Sequence, residues 1–272
     1  MTTETKTRLV TASIVAPFVV ACFISYKSLI GLVAAVVLLA SYELLNMAVQ
    51  GQNERGFVKY AVAICVGFVV AYGVMEARNG LLLLSLAFIL TNVIAVLTQK
   101  NVENVWPVVV ATGLALVYVA GCLSFFFPMY LEFGAANALL NLTAVWLYDT
   151  GAYFVGMRWG KTKISKKFSP NKSLEGVIGG FLSSLAFSFV YKLVFDFIFK
   201  AEVMPFGSLV ILSAIIAILD TFGDLFESAL KRYFKVKDSG TVLPGHGGML
   251  DRIDGLLFVT PVTYFLLSIG VL

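Results

Sequence analysis

A chain of 272 residues with 59% hydrophobic and 13% charged side chains and a mean hydropathy of +0.91 lies outside the range of soluble domains and within that of polytopic membrane proteins. The formal net charge of +4 says less than where the charges fall, because 35 consecutive positions, 220–254, hold six carboxylates, five Lys or Arg and the sole His.

A membrane-crossing helix needs about 20 apolar residues. Nine runs qualify: 9–26, 28–49, 57–75, 81–98, 105–127, 135–157, 174–199, 205–229 and 253–271. The expected fold is therefore all-α, with about nine transmembrane helices. These use roughly 180 residues, so the rest makes loops rather than a soluble domain, and a site must be built from helix ends and loops.

Lys6 and Arg8 precede the first run in the manner of a signal peptide, but no A-x-A-like site follows, so the segment is expected to be retained. Residues 1–104 read as a scaffold bundle, with a polar turn at Gly51, Gln52 and Asn53. Glu43 is the one carboxylate inside a span there; it lies about a turn from the helix end and is assigned no role. Cys22, Cys65 and Cys122 sit in apolar runs without metal-like spacing and read as small buried hydrophobes.

Placing the loop before Lys172 in the cytosol puts 16 of the 20 Lys and Arg on that side and leaves Lys27, Arg78, Lys192 and Lys200 outside. The positive-inside rule then orients the N-terminus to the cytosol and the C-terminus outside. The two richest basic loops, 158–173 and 231–252, share the cytosolic face of the expected catalytic region, 105–272.

The fifth run ends at Pro128. The sixth carries Asp149, followed by Gly151, Ala152, Gly156 and Gly160, small residues that permit close helix packing. An ionisable group within a span costs about 2.5–3.5 kcal/mol at mid-bilayer, so Asp149 is expected to face a cavity or a partner. In the following loop Lys161, Lys163, Lys166 and Lys167 suit topology or anionic headgroups. Ser173 reads as the N-cap of the seventh span, and its free N–H groups beside Lys172 suit a phosphate. Gly160-Lys161-Thr162 is not a P-loop, because Gly156 is one residue too close and a membrane span precedes it.

At 100° per residue Asp220, Asp224, Glu227 and Lys231 form one stripe of the eighth helix. Glu227 and Lys231 have ion-pair spacing, whereas Asp220 and Asp224 have no base at i±3 or i±4 and need a cation from elsewhere. Gly240, Pro244, Gly245, Gly247 and Gly248 then break the helix and let backbone approach a ligand. Asp251 and Asp254 open the ninth span, where the positive helix end favours them. Oxygen donors without Cys or a His cluster point to Mg²⁺, one or two ions. Four Asp with Lys172, Lys231, Arg232, Lys237 and Arg252 have the composition of a magnesium–polyphosphate site. His246 either contacts phosphate or fills the turn.

The run Ser228-x-Leu230-Lys231-Arg232, Lys237-Asp238-x-Gly240, Leu243-Pro244-x-His246-Gly247-Gly248-Met249-x-Asp251-Arg252-Ile253-Asp254 resembles the signature of the phosphatidate cytidylyltransferases, the CDP-diacylglycerol synthases. The similarity extends upstream through Asp220 to Asp224 and through Ser169-Pro170-Asn171-Lys172-Ser173, and thins over 1–100. It implies that CTP and phosphatidic acid give CDP-diacylglycerol and pyrophosphate, with Mg²⁺, in a multi-pass protein of the inner (cytoplasmic) membrane. On this resemblance Asp220, Asp224 and Asp251 hold metal, with Asp254 in reserve. Lys172, Ser173, Lys231, Arg232, Lys237 and Arg252 hold triphosphate or lipid phosphate, His246, Gly247 and Gly248 form the loop contact, and Asp149 either supports the ligands from behind or serves the cytidine side. No nucleic acid is implied, and a homodimer is compatible with it.

Three rivals remain at this point. Asp251, Asp254 and Gly255 mimic the start of the CDP-alcohol phosphotransferase motif, but Phe258 and Val259 replace its Ala-Arg. A CTP-dependent lipid kinase would use similar parts, and a cation channel or transporter would also keep acids in the membrane.

Overall fold

The computed structural model describes residues 3–49, 55–99, 101–165, 167–240 and 247–272. Its elements follow the apolar runs. They are α1 (Thr3–Cys22), α2 (Tyr26–Ala48), α3 (Arg55–Val74), α4 (Gly80–Thr98), α5 (Val102–Leu114), the short α6 (Cys122–Ser124), α7 (Phe126–Trp159), β1 (Lys163–Ser165), β2 (Ser169–Ser173), α8 (Leu174–Val194), α9 (Phe206–Tyr233) and α10 (Leu250–Ser268). The expected all-α membrane architecture is what the chain adopts, with one two-stranded hairpin added.

Among the described residues six helical stretches are long and apolar enough to cross a membrane. One of them, Val102–Trp159, is 58 residues long and contains both the fifth and sixth runs. A π-helical turn over Ala115–Gly121 joins α5 to α6. Pro128 does not end a helix: it sits in the first turn of α7, where a missing N–H costs nothing. The bend comes instead at Gly134, whose φ of 83° a side chain would strain.

The chain forms two compact units, Met1–Phe127 with Tyr233–Ile253, and Pro128–Arg232 with Asp254–Leu272. In the first, α2 buries Leu29, Val33, Val37, Ala40 and Leu44, a helical stripe. From α3 come Phe57, Ala61, Cys65, Phe68 and Val69. The α4 helix buries only Ala87, Thr91 and Ala95, one residue per turn, and leaves Leu82, Leu86, Ile89 and Val93 bare. Such a face is stable where lipid replaces water. The Thr91 and Thr112 hydroxyls donate to the carbonyls of Ala87 and Val108 one turn back, so neither needs an outside partner.

The second unit is held by close backbone approach. A Cβ on Gly151 would collide with Ser183 and lie 2.9 Å from the Gly179 carbonyl, and one on Gly180 would lie 2.5 Å from the Tyr148 ring. Gly176 faces the Gly156 Cα across the same seam. This is the close packing of α7 on α8 that the small residues led us to expect. Polar contacts lock it: Tyr191 donates to the Ala136 carbonyl, and the Asn141 amide donates to Thr260 at 3.1 Å.

Adding a methyl at this seam overpacks it. Gly151→Ala and Gly180→Ala should each destabilise by about 1–3 kcal/mol, seen as a lower unfolding temperature in detergent. Gly31→Ala and Gly67→Ala, with open space at both positions, should be neutral or slightly stabilising.

Candidate active site

The acids of the second unit come from three helices. Asp220 and Asp224 are one turn apart on α9, Asp149 lies on α7 and Asp254 on α10. Asp220 is buried, at 2% exposure, and Asp149 lies within hydrogen-bonding reach of it. Asp254 is close enough to Asp224, Asp149 and Lys172 to feel their charges. Two glycines permit this crowding. A Cβ on Gly255 would fall on the Asp220 carboxylate, and one on Gly223 would lie 3.0 Å from the Gly255 Cα.

The cation that Asp220 and Asp224 lack on their own helix is Lys172, whose Nζ lies 2.5 Å from Asp224 Oδ2. Burial alone would depress this ammonium, but the charge and hydrogen bond of Asp224, with Asp220 and Asp254 behind it, outweigh burial and raise its pKa above the ordinary 10.5. Ser228 donates to the other Asp224 oxygen at 3.3 Å. Farther along α9, Glu227 and Lys231 form the i,i+4 pair their spacing suggested, at 2.5 Å, with Glu227 fully buried. Tyr148 and Thr221 hydroxyls meet at 2.7 Å, which fixes α9 against α7 beside Asp220.

Lys172 is delivered by structure that composition did not reveal. The basic loop is an antiparallel hairpin, β1 on β2, in register Lys163 to Ser173 and Ser165 to Ser169, with a bulge between. Glu175, in the first turn of α8, ties it down by accepting from the Lys161 N–H at 3.1 Å and from the Thr162 hydroxyl at 2.8 Å. Ser173 is the N-cap of α8 and accepts from the Gly176 N–H at 3.2 Å. Lys172 is therefore held on a short strand that runs straight into a capped helix.

In the first unit, Asp251 Oδ2 accepts from the Ser239 N–H (3.1 Å), the Ser239 hydroxyl (2.9 Å) and the Gly248 N–H (2.9 Å). That oxygen ties Ser239 to Gly248, and the Gly248 N–H is engaged within the protein. Gly247 has φ 81°, which favours glycine. Arg232 in the second unit, and Lys237 and Arg252 in the first, are exposed. His246 lies outside the described residues.

Glu43 is the residue that sequence reasoning passed over. It is 3% exposed, and it accepts from Met249 N–H and Leu250 N–H, both at 2.9 Å, and from the Ser239 hydroxyl at 3.2 Å. The usable signal was the one applied to Asp220: a carboxylate in an apolar span with no base at i±3 or i±4.

As to metal, the donors fit a hard divalent cation in kind, since the second unit offers oxygen ligands only and four carboxylates against Lys172. Among the described residues no three acidic, His or Cys side chains are already grouped to hold an ion. A cation here would take one or two carboxylates and complete its shell with phosphate and water, as Mg²⁺ commonly does.

Fold and site together define a polytopic membrane protein with a carboxylate cluster around one half-buried lysine, a charge pattern suited to a cation and phosphate. The model of the cytidylyltransferase family matches residues 6–270, and the chain belongs to that family. It is 50% identical over 268 residues, 98% of this chain and 97% of the relative, to a phosphatidate cytidylyltransferase of Thermotoga maritima. Proteins of the same description from Bacillus subtilis (40% over 159 residues, 57% of each chain) and Staphylococcus saprophyticus (43% over 134 residues, 49% of this chain and 50% of the relative) are similar over about half their length. The family resemblance expected from the sequence is thereby met.

Lys172→Met leaves the acids without their nearest cation. It should destabilise by an amount at the low end of the about 3–5 kcal/mol for breaking a buried pair, since both partners are partly exposed. Because the folded pKa is raised, the stabilisation is complete below the unfolded value of 10.5 and fades only as pH climbs through the higher folded one. Unfolding scans of both proteins from pH 7 to 11 should thus show a constant gap that narrows only at the alkaline end.

Proposed function

We infer that this chain is a phosphatidate cytidylyltransferase, converting CTP and phosphatidic acid to CDP-diacylglycerol and pyrophosphate in phospholipid synthesis. The observation that carries this is the 50% identity spanning nearly the whole of both chains. It is supported by a cluster of acids around Lys172, a charge pattern suited to a cation and phosphate.

The reaction is a displacement at phosphorus. A phosphatidate phosphate oxygen forms a bond to the CTP α-phosphorus, the bond from that phosphorus to the bridging oxygen breaks, and pyrophosphate leaves with the electron pair. The attacking oxygen is already anionic, so no general base is required, and rate comes from positioning and charge neutralisation. Lys172 is the cation we assign to the phosphates, kept protonated by Asp224. Lys237, Arg232 and Arg252, exposed as they are, suit the outer phosphates and the lipid headgroup. Lys231, paired with Glu227, contributes from about two helix turns beyond Asp224. Ser173 caps the helix that begins beside Lys172, and Asp149 borders the cluster on the nucleotide side.

Mg²⁺ is the cofactor we propose, held by Asp220, Asp224 and Asp254, and when bound it supplies neutralisation of triphosphate charge. Asp251 is assigned to the glycine segment, with Gly247 and Gly248. We place the site and the N-terminus on the cytosolic side of the inner membrane, because that orientation puts 16 of 20 basic residues inside. The reading involves no nucleic acid and is compatible with a homodimer.

Purified protein given [α-³²P]CTP, dioleoyl phosphatidate and Mg²⁺ should release pyrophosphate and label the lipid. Label entering lipid only from the γ position would overturn the reading in favour of a lipid kinase. Asp220→Asn and Asp224→Asn should each lower turnover at least 100-fold, about 2.7 kcal/mol or more at 1.36 kcal/mol per tenfold, while the proteins remain extractable. Full activity in either would remove that residue from the metal set.

A further inference from the structure

Glu43 sits in the middle of a set of contacts that the chemistry above does not use. Its carboxylate crosses 196 to 207 positions of sequence to reach Ser239, Met249 and Leu250. Met249 and Leu250 stand at the start of α10, where backbone N–H groups have no intrahelical partner and the helix end is positive. An anion there is favoured twice, by the hydrogen bonds and by the dipole. The fit is close on the loop side too. A Cβ on Gly240 would lie 2.9 Å from Glu43 Cγ, and one on Gly248 would lie 2.6 Å from Glu43 Oε2, so both glycines give room to this carboxylate. The Ser239 hydroxyl, 3.2 Å from Glu43 and 2.9 Å from Asp251, joins the two acids into one clamp.

We propose that Glu43 is a positioning residue for cytidylyl transfer: by tying Ser239 to the start of α10, it fixes where Lys237 and Arg252 stand. Ser239 is two residues from Lys237, and Leu250 is two residues from Arg252, so each basic side chain is tethered next to a Glu43 contact. The proposal rests on the functional reading above, since it assigns those two bases to substrate phosphate. It also removes the α10 N-terminus from the list of places a phosphate can bind, because Glu43 already fills it.

The test compares the full-length protein in detergent with Glu43→Gln, with Ser239→Ala as a milder cut of the same network, and with Leu38→Ala, an exposed position of α2, as control. Amide hydrogen exchange is followed in peptides covering 247–252, and kcat and KM are measured for CTP. In Glu43→Gln the amide can accept through only one oxygen, so exchange at Met249 and Leu250 should rise at least tenfold. KM for CTP should rise at least fivefold, with kcat within about threefold; Ser239→Ala should move both in the same direction by less, and Leu38→Ala neither. Unchanged exchange and KM in Glu43→Gln would overturn the proposal. So would exchange that rises equally in α3 and α9 peptides, which would make Glu43 a general stability residue. If the unsubstituted protein fails to label lipid from CTP, it is the functional reading that falls, and local exchange still reports whether the clamp exists.

Discussion

A carboxylate in apolar surroundings must be compensated, and this chain does it in three ways. Glu227 takes a lysine one turn along its own helix. Asp224 takes Lys172 from a strand. Glu43 takes two backbone N–H groups and a hydroxyl. The magnitudes are comparable: about 2.5–3.5 kcal/mol to place an acid at mid-bilayer, against about 1.5–3 kcal/mol for each hydrogen bond to a charged group. Two or three good bonds thus offset the cost. The second-unit cluster is different in kind, because four carboxyl groups gather around one ammonium and a single lysine cannot pair with them all. Structure alone would have no reason to assemble them. The divalent cation proposed above would supply one.

Glycine is what makes such density of charge buildable. Gly255 has no side chain because the Asp220 carboxylate stands there, and Gly223 lets α9 approach the backbone of α10 at Asp254 and Gly255. Within the first unit Gly240 and Gly248 do the same for Glu43. At Gly255, Gly240 and Gly248 a methyl group would displace a carboxyl oxygen, and at Gly223 it would push away the backbone that carries Asp254, so the packing of helices and the placement of acids are one problem rather than two. The Tyr148 to Thr221 bond then sets α9 against α7 next to the cluster. The polar network and the close seam of α7 on α8 share a helix, and strain in the seam would be felt at Asp149.

The helices were legible in the sequence because a span must satisfy its own backbone, which forces long apolar runs. The α9 stripe was legible because 100° per residue sets it, and the lack of a local base for Asp220 and Asp224 correctly required a cation from elsewhere. What escaped was whatever depends on distant pairing. The β1–β2 hairpin has strands of three and five residues without apolar alternation, and it exists because Glu175 and the α8 cap tie its ends. The chain bends at Gly134 instead of Pro128, since proline is tolerated in a first turn whereas φ 83° is open to glycine. The lack of a local base marked Glu43 as needing a partner, but that partner could not be named because it is two backbone N–H groups and one serine hydroxyl about 200 positions away.

Lys172 also bears on the class of protein. A cation pathway wants acids whose charge a passing ion can meet and leave. Here the cluster keeps a fixed ammonium paired to Asp224, a group that a cation pathway has no evident need for. The same ammonium is what a triphosphate or a phosphate monoester requires. Because it emerges from a strand leading into a capped helix rather than from a flexible loop, its position is set before substrate arrives. Preorganised charge of this sort stabilises a transition state without reorganising at the moment of reaction. The lysine therefore serves the resting fold by compensating Asp224, and in the reading proposed above it would offer the phosphates a cation already in place.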